Sequence, residues 1–352
     1  MRRKPSHCSM HSRHSAASRV GVRSPLWALV ALLGLAACGP LGGVDDADTA
    51  GAGGQSGAAG APALPPAPAF KLVGYQPSWA GSISNVQFDK LNYINYAFAT
   101  ELADGSVTLP QPTQQLLALT LLAHKSGVRV LLSVGGWNNG DASAFSTLSA
   151  NPDARAKFVA TVDGFVDQFQ LDGIDIDWEY PRASDTASFT ALVQAVSARL
   201  QPKGKILTMA AAPATYGSEG VTADAMQYLD FVNIMAYDGG QGAGHSPYTL
   251  AQSALQTWLT KGLPASKAVL GVPFYSRPSN TPYSKLVAMD PNAANVDQIG
   301  DQYYNGIPTL QAKTELAMTE GTGVMEWDLS QDVNTPGLSL VSAIFAKAHP
   351  SP

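Results

Sequence analysis

The sequence is poor in cysteine and in charged residues, and both shortages limit the classes of protein to which it can belong. Its 352 residues include two cysteines, Cys8 and Cys38, so the chain from Phe70 onward has none and can form no internal disulfide. Charged residues make up 14% of the chain and hydrophobic residues 45%, which excludes the disordered and fibrous classes. The stability of any fold beyond Phe70 must therefore come from packing.

Several signatures of cofactor or metal chemistry are also missing. The sequence has no G-x-G-x-x-G, no Walker loop, no H-E-x-x-H and no G-x-S-x-G. Three of the six histidines lie within the first 14 residues, and His124, His245 and His349 are scattered without ligand spacing. We therefore expect no metal and no cofactor, and a Ser-His mechanism is disfavoured.

The first 38 residues have the order of a secretory signal. Basic residues precede an apolar run from Leu26 to Ala37, and Cys38 follows at once. The run is too short to span a hydrocarbon core of about 30 Å as a helix. Its ending LAAC resembles the lipobox of bacterial lipoproteins, which would make Cys38 the acylated first residue of an exported protein anchored to the outer membrane or cell surface. An ordinary signal peptide and an uncleaved anchor are the alternatives.

Composition and charge change after Cys38. Residues 39–69 are almost all Gly, Ala, Pro, Ser and Asp, and this composition predicts a flexible tether. Beyond Cys38 the chain has 27 acidic and 16 basic residues, a formal net charge of −11. This charge argues against nucleic acid and for a neutral or cationic ligand, unless it only aids solubility. A monomer is expected.

The rest of the chain, residues 70–352, predicts one α/β domain. Apolar segments rich in β-branched and aromatic residues alternate with amphipathic stretches, a pattern typical of a parallel sheet covered by helices. Eight such units in this length predict a (β/α)8 TIM barrel. An open doubly wound sheet is the alternative, but its usual phosphate loop is missing. The predicted strands are 71–75, 91–99, 128–136, 171–180, 205–213, 229–238, 267–275 and 322–330.

The segment DGIDIDWEY, residues 172–180, places carboxyl groups in one of these strands. Because side chains alternate along a strand, Asp175, Asp177 and Glu179 should point into the barrel and the intervening apolar residues outward. Burial and like charge both favour protonated carboxyls. We expect Asp175 and Asp177 to share a proton and Glu179, nearest the mouth, to act as a general acid with a raised pKa. Asp172 does not share this alternation and is taken as structural. For the row of acids as a whole, a salt-bridged structural row and a calcium site are the alternatives.

The same motif resembles the D-x-x-D-x-D-x-E signature of the family 18 glycoside hydrolases, the chitinases and their relatives. The resemblance covers the chain from about Leu72 to Lys347, and further segments match in family order. They are GYQPSW (74–79), NYAFA (95–99), SVGGW (133–137), MAYD (235–238), GVPFYSR (271–277) and MEWDLS (325–330).

The resemblance implies hydrolysis with retention, in which the substrate's own N-acetyl group attacks the anomeric carbon. Glu179 would protonate the leaving oxygen and later deprotonate water. Asp177, relayed by Asp175, would orient the acetamide, and Tyr237 would bond its carbonyl oxygen. Sugar rings stack on aromatic faces, so we expect substrate contacts from residues at the strand ends. These are Trp327, Trp137, Gly136, Tyr75, Phe98, Met235, Asp238 and Tyr275.

One departure from the family bears on the shape of the cleft. Many chitinases of this family insert an α+β module between strands seven and eight, but here only the 46 residues from Ser276 to Gly321 lie between them. We therefore predict a single domain without a sizeable insertion, and an open groove. The predicted activity is an endo-chitinase acting on chitin or another N-acetylglucosamine oligosaccharide. An endo-β-N-acetylglucosaminidase acting on N-glycans and a non-catalytic surface lectin are the alternatives.

Overall fold

A computed structural model describes residues 64–66, 68–214 and 216–350. The predicted signal peptide with Cys38 lies outside the described residues, as does most of the predicted tether, so lipidation and export stay predictions. The last tether residues are described, and the carbonyl oxygens of Pro65 and Ala69 accept hydrogen bonds from Arg129 and Thr322 of the folded domain. No helix in the described part of the chain is long and apolar enough to cross a membrane.

Strands and helices alternate through this part of the chain. The strands are β1 Lys71–Pro77, β2 Tyr93–Glu101, β3 Val107–Thr108, β4 Arg129–Gly135, β5 Gly173–Asp177, β6 Ile206–Ala211, β7 Phe231–Ile234, β8 Ala268–Pro273, β9 Gln298–Ile299, β10 Gln302–Tyr303 and β11 Gly323–Trp327. The helices are α1 Gln114–Lys125, α2 Ser143–Ala150, α3 Pro152–Gln168, α4 Thr186–Leu200, α5 Ala223–Met226, α6 Tyr248–Thr260, α7 Tyr283–Met289, α8 Ile307–Glu320 and α9 Leu340–Ala348.

Eight strands close into a parallel barrel. Their order around it is β1, β2, β4, β5, β6, β7, β8 and β11, and β1 pairs in parallel with both β2 and β11. This closure confirms the predicted (β/α)8 barrel and rules out an open sheet. The short β3 pairs antiparallel with the end of β2, and β9 and β10 form a separate hairpin.

Local sequence explains where the covering helices begin. At the start of α3, the Asn151 side chain accepts hydrogen bonds from the backbone N–H groups of Asp153 and Ala154. Pro152 occupies the first helical position, where its missing N–H costs nothing. This start places α3 against the outer face of the barrel, with Phe158 fully buried.

The barrel has two apolar cores, one on each face of the sheet. Ile174, Ile176 and Trp178 belong to the outer core, beneath the helices, as the strand alternation predicts. A smaller core fills the lumen and includes Tyr75 and Met325. The acids at alternate positions of β5 therefore face the lumen.

The strand that carries the acids is shorter than predicted. We expected residues 171–180 to be extended, but β5 ends at Asp177. The reason lies in its neighbour, because β4 ends at Gly135, the residue paired with Asp177. Glu179 thus lies just beyond the sheet, at the mouth of the barrel.

The segment between β8 and β11 agrees with the prediction of no sizeable insertion. It contains α7, α8 and the β9–β10 hairpin, whose strands have two residues each. Asp172 lies at the other end of β5, where its Oδ2 is 2.7 Å from His124 Nε2 and accepts a hydrogen bond from the Val130 N–H at 2.8 Å. That position is consistent with a structural role.

Candidate active site

A cleft of about 1060 Å³ opens at the C-terminal ends of the barrel strands. This is the end at which parallel barrels place their binding and catalytic groups. Trp79 and Trp137 at its rim are 63% and 62% exposed, so the cleft is an open groove. Of the residues singled out in the sequence, those that line it are Glu179, Asp177, Tyr237, Trp327, Trp137, Gly136, Tyr75, Phe98, Met235, Asp238 and Tyr275.

Asp175 lies beneath the cleft, fully buried and surrounded by hydrogen-bond donors. Its Oδ2 accepts from the hydroxyls of Tyr75 and Ser133, each at 2.8 Å. Its Oδ1 accepts from the Thr208 hydroxyl at 2.5 Å and from the Asn233 amide at 3.4 Å. Burial raises the pKa of Asp175, and these four donors oppose the rise by stabilising the carboxylate.

Asp177 sits above Asp175 and has no comparable set of donors. Its Oδ1 is buried and has no hydrogen-bond partner among the described residues. Burial, followed by the charges of Glu179 and Asp175, raises its pKa well above the ordinary value. We expected the two aspartates to share a proton, but no hydrogen bond joins them. The four donors stabilise the carboxylate form of Asp175, so of the two aspartates Asp177 is the one whose protonated form is favoured.

Glu179 is half-buried at the top of this row. Its pKa is raised to about 7, because burial and the charge of Asp238 raise it by more than a hydrogen bond from the Tyr180 hydroxyl lowers it. No Lys, Arg or His in the described chain forms an ion pair with Glu179. This carboxyl can both hold and release a proton near neutral pH.

Asp238 has the opposite electrostatic environment. The Arg277 guanidinium binds both of its oxygens, at 2.8 and 2.6 Å, and the Tyr275 hydroxyl donates to its Oδ2 at 2.7 Å. His245 Nδ1 lies 3.0 Å from its Oδ1. Burial raises the pKa of Asp238, but the bonds from His245, Arg277 and Tyr275 outweigh it and hold that pKa below the ordinary value. Asp238 is thus a fixed negative charge at the mouth.

Aromatic side chains form two groups along the cleft. Trp327 stacks on Phe98, with ring centroids 5.5 Å apart, and meets the edge of Tyr75 at 5.5 Å. Trp137 forms the second group with Tyr180, at 6.4 Å. Exposed aromatic faces of this kind can stack on the C–H faces of sugars.

Gly136 is required by the backbone at this point. Its φ is +96°, and a Cβ atom there would lie 2.7 Å from the Phe98 ring. The preceding Gly135 has φ +115° and would place a Cβ 2.2 Å from the Asp177 carbonyl oxygen. Both glycines permit the close approach of β4 to its neighbours.

The Tyr237 hydroxyl lines the cleft without a hydrogen bond to any described residue, which leaves it free for a ligand. Met235 contributes an apolar wall nearby.

Several residues that shape the site were missed in the sequence. The inward parity of β4, β6 and β7 could have indicated Ser133, Thr208 and Asn233. Arg277 was part of a quoted segment, but no local signal assigned it to Asp238. No cluster of three His, Cys, Asp or Glu side chains suited to a metal occurs among the described residues.

Fold and site together define a class of protein: a TIM barrel with Asp175, Asp177 and Glu179 in a row at the end of one strand, beneath a cleft lined by aromatic side chains. The comparison with known families is more specific. Residues 71–333 match the model of Glycosyl hydrolases family 18, and the chain belongs to this family.

Individual relatives agree with this assignment. Chitotriosidase-1 of Mus musculus is 36% identical over 251 residues, which cover 59% of this chain and 54% of that protein. Chitinase A1 of Niallia circulans is 28% identical over 302 residues, 60% and 43% of the two chains. The chain spans about half the length of such curated relatives.

Solved structures show the same architecture. The GH18 chitinase ChiB from the chitin utilization locus of Flavobacterium johnsoniae has a TM-score of 0.70 and 28% identity, covering 79% of this chain and 93% of that one. The chitinase-like agglutinin RobpsCRA of Robinia pseudoacacia, at 20% identity and a TM-score of 0.69 over 78% and 98% of the chains, shares the fold. The fold alone therefore does not decide the activity, and the site residues must.

Proposed function

We propose that the protein is a retaining, substrate-assisted endo-chitinase that cleaves β-1,4-linked N-acetylglucosamine chains. The observation that carries this proposal is the state of Glu179. It lines the cleft, has no cationic partner and has a pKa of about 7, so a substantial fraction is protonated at neutral pH. A carboxyl in that state is suited to general acid catalysis.

In the proposed reaction, the Glu179 proton passes to the glycosidic oxygen as the bond from that oxygen to the anomeric carbon breaks. The acetamide oxygen of the same sugar forms a bond to the anomeric carbon and gives a cyclic intermediate, so no carboxyl group of the protein bonds to the sugar. Glu179, now ionised, takes a proton from the water that attacks this carbon, and the bond between the acetamide oxygen and the anomeric carbon breaks, which restores the acetamide. The sugar leaves with its original anomeric configuration.

The residues below Glu179 would hold the reacting acetamide. Asp177, whose pKa is raised well above the ordinary value, has a free buried oxygen, and Asp175 is fixed beneath it by four hydrogen-bond donors. Tyr237 offers an unused hydroxyl to the acetamide oxygen, and Trp327 offers a face to the sugar ring. Orientation of this kind makes the attack intramolecular and lowers its entropic cost.

The open groove supports internal cleavage, because no large module closes it between β8 and β11. The relatives named chitinase support chitin over N-glycans. Export and anchoring through Cys38 are proposed with this function, since chitin is extracellular. Labelling with a clickable fatty acid should mark the protein and should fail for Cys38→Ser.

The test compares wild type with Glu179→Gln on a fluorogenic chitobioside, on soluble chitin oligomers and on a high-mannose glycoprotein. We expect kcat on the chitin substrates to fall about 10²- to 10⁴-fold in Glu179→Gln. Glu315→Gln, an exposed acid on α8 paired with Lys347, is the matched control and should retain full activity.

The pH profile gives a second readout. Glu179 must be protonated at the start of the reaction, so wild-type kcat/KM should fall as pH rises through about 7. Equal activity of Glu179→Gln and wild type would defeat the mechanism. Cleavage of the glycoprotein alone would defeat the chitin substrate, and sugar binding without any hydrolysis by wild type would indicate a lectin.

A further inference from the structure

One carboxyl in the cleft has no part in the mechanism above. Glu101 is the last residue of β2, and its side chain lines the cleft while only 8% of the residue is exposed. Among the described residues, no other side chain donates a hydrogen bond to it, and its carboxylate accepts a hydrogen bond only from its own backbone N–H. It is thus a nearly buried, unpartnered polar group that faces the groove.

Carboxyl groups outnumber cationic groups around Glu101. The described residues lining the cleft include four carboxyls, Glu101, Asp177, Glu179 and Asp238, and one cation, Arg277. Arg277 is already bound to Asp238 through two hydrogen bonds. No Lys, Arg or His of the described residues therefore forms an ion pair with Glu101.

The pKa of Glu101 is shifted in the direction expected for a buried carboxyl without a cationic partner. Burial, opposed by its own backbone N–H and reinforced by the charge of Asp141, raises the pKa of Glu101 to about 7. Glu101 in turn raises the pKa of Asp177. A positively charged ligand group would offset both the lost hydration and the repulsion.

We propose that Glu101 binds the ammonium group of a deacetylated sugar unit, so that the cleft prefers partly deacetylated chitin to the fully acetylated polymer. The proposal rests on the proposed function, because a chitin-like chain must first occupy the groove. A glucosamine unit carries an ammonium group where N-acetylglucosamine carries an acetamide. A neutral hydroxyl could donate one hydrogen bond to Glu101 but would leave its charge uncompensated.

The chemistry also restricts which unit can be deacetylated. Substrate-assisted cleavage needs an acetamide on the sugar that is cut. In the proposed mechanism that acetamide lies at Asp177, at the end of β5, and at Tyr237, which follows β7. Glu101 lies on β2, so the ammonium it binds belongs to a different unit of the chain. The preferred substrate therefore has an acetylated unit at the cut and a glucosamine unit at a neighbouring position.

The experiment measures kcat/KM of the full-length protein on chitohexaose and on chitosan with about half of its units acetylated. We expect the ratio of chitosan to chitohexaose activity to fall about tenfold in Glu101→Gln, equivalent to about 1.4 kcal/mol. In Glu101→Asp, which keeps the charge, this ratio should fall less. Glu315→Gln removes an equal charge far from the cleft and should leave the ratio unchanged, which separates local binding from long-range attraction.

A second measurement does not depend on the folding of any variant. Mass-spectrometric sequencing of the wild-type products from chitosan should show glucosamine enriched at one fixed distance from the cut. An unchanged activity ratio in Glu101→Gln, equal losses on both substrates, or products without positional enrichment would each overturn the proposal. In those cases activity on chitohexaose still supports the proposed function, whereas a wild-type protein inactive on both substrates would overturn the two together.

Discussion

Glu326 offers a prediction that depends on the fold alone. It lies on the outer face of β11, next to Trp327, and is 1% exposed. Neither of its carboxyl oxygens has a hydrogen-bond partner among the described residues. Burial, followed by the charge of Asp332, raises the pKa of Glu326 well above its ordinary value of 4.5. The perturbation is Glu326→Gln, which keeps the shape and removes the titration.

The sign of the effect follows from proton linkage. Above pH 4.5 the unfolded chain loses the Glu326 proton while the folded chain keeps it, so wild-type stability falls as pH rises toward the folded-state pKa. The loss is at most about 1.4 kcal/mol per pH unit for one proton. Glu326→Gln escapes this loss. It should match wild type near pH 4 and become progressively more stable than wild type as pH rises.

Urea unfolding followed by tryptophan fluorescence at a series of pH values measures this difference directly. Using the difference between the two proteins cancels the other buried acids, which titrate in both. Glu326→Met should be about 1–3 kcal/mol more stable than Glu326→Gln at every pH, because it also removes the unpartnered polar group. Parallel stability curves for wild type and Glu326→Gln would show that Glu326 is ionised and solvated, and would refute the reasoning.

Two further predictions concern the site itself. Tyr75→Phe removes the 2.8 Å hydrogen bond to Asp175 and should lower the free energy of unfolding by about 1.5–3 kcal/mol, with a reduced kcat. Tyr93→Phe changes another buried lumen tyrosine, whose hydroxyl makes no hydrogen bond to any described residue, and is the control in the same urea titration. Gly136→Ala should cost about 1–3 kcal/mol and lower turnover, because the new Cβ strikes an aromatic ring of the cleft. Gly204 also has a positive φ, +66°, but a Cβ there would lie in open space, so an equal loss in Gly204→Ala would contradict the clash as the cause.

Much of this architecture follows from local pattern. The alternation of strands and helices predicted the barrel, and the period of two along DGIDIDWEY placed Asp175 and Asp177 in the lumen and Trp178 in the outer core. Glu179 also lines the cleft, but the predicted strand was too long at this end, because the end of a strand depends on the length of its neighbour. Here β4 ends at Gly135, and β5 therefore ends opposite it.

The sequence by itself determined which residues face inward and which acids are candidates for chemistry, because those properties depend on neighbours two positions apart. Only the tertiary structure decided their protonation. The donors to Asp175 come from four other strands, up to 100 residues away, and Arg277 reaches Asp238 across 39 residues. Barrel closure brings these groups within hydrogen-bonding distance, and their balance against burial sets where the proton resides.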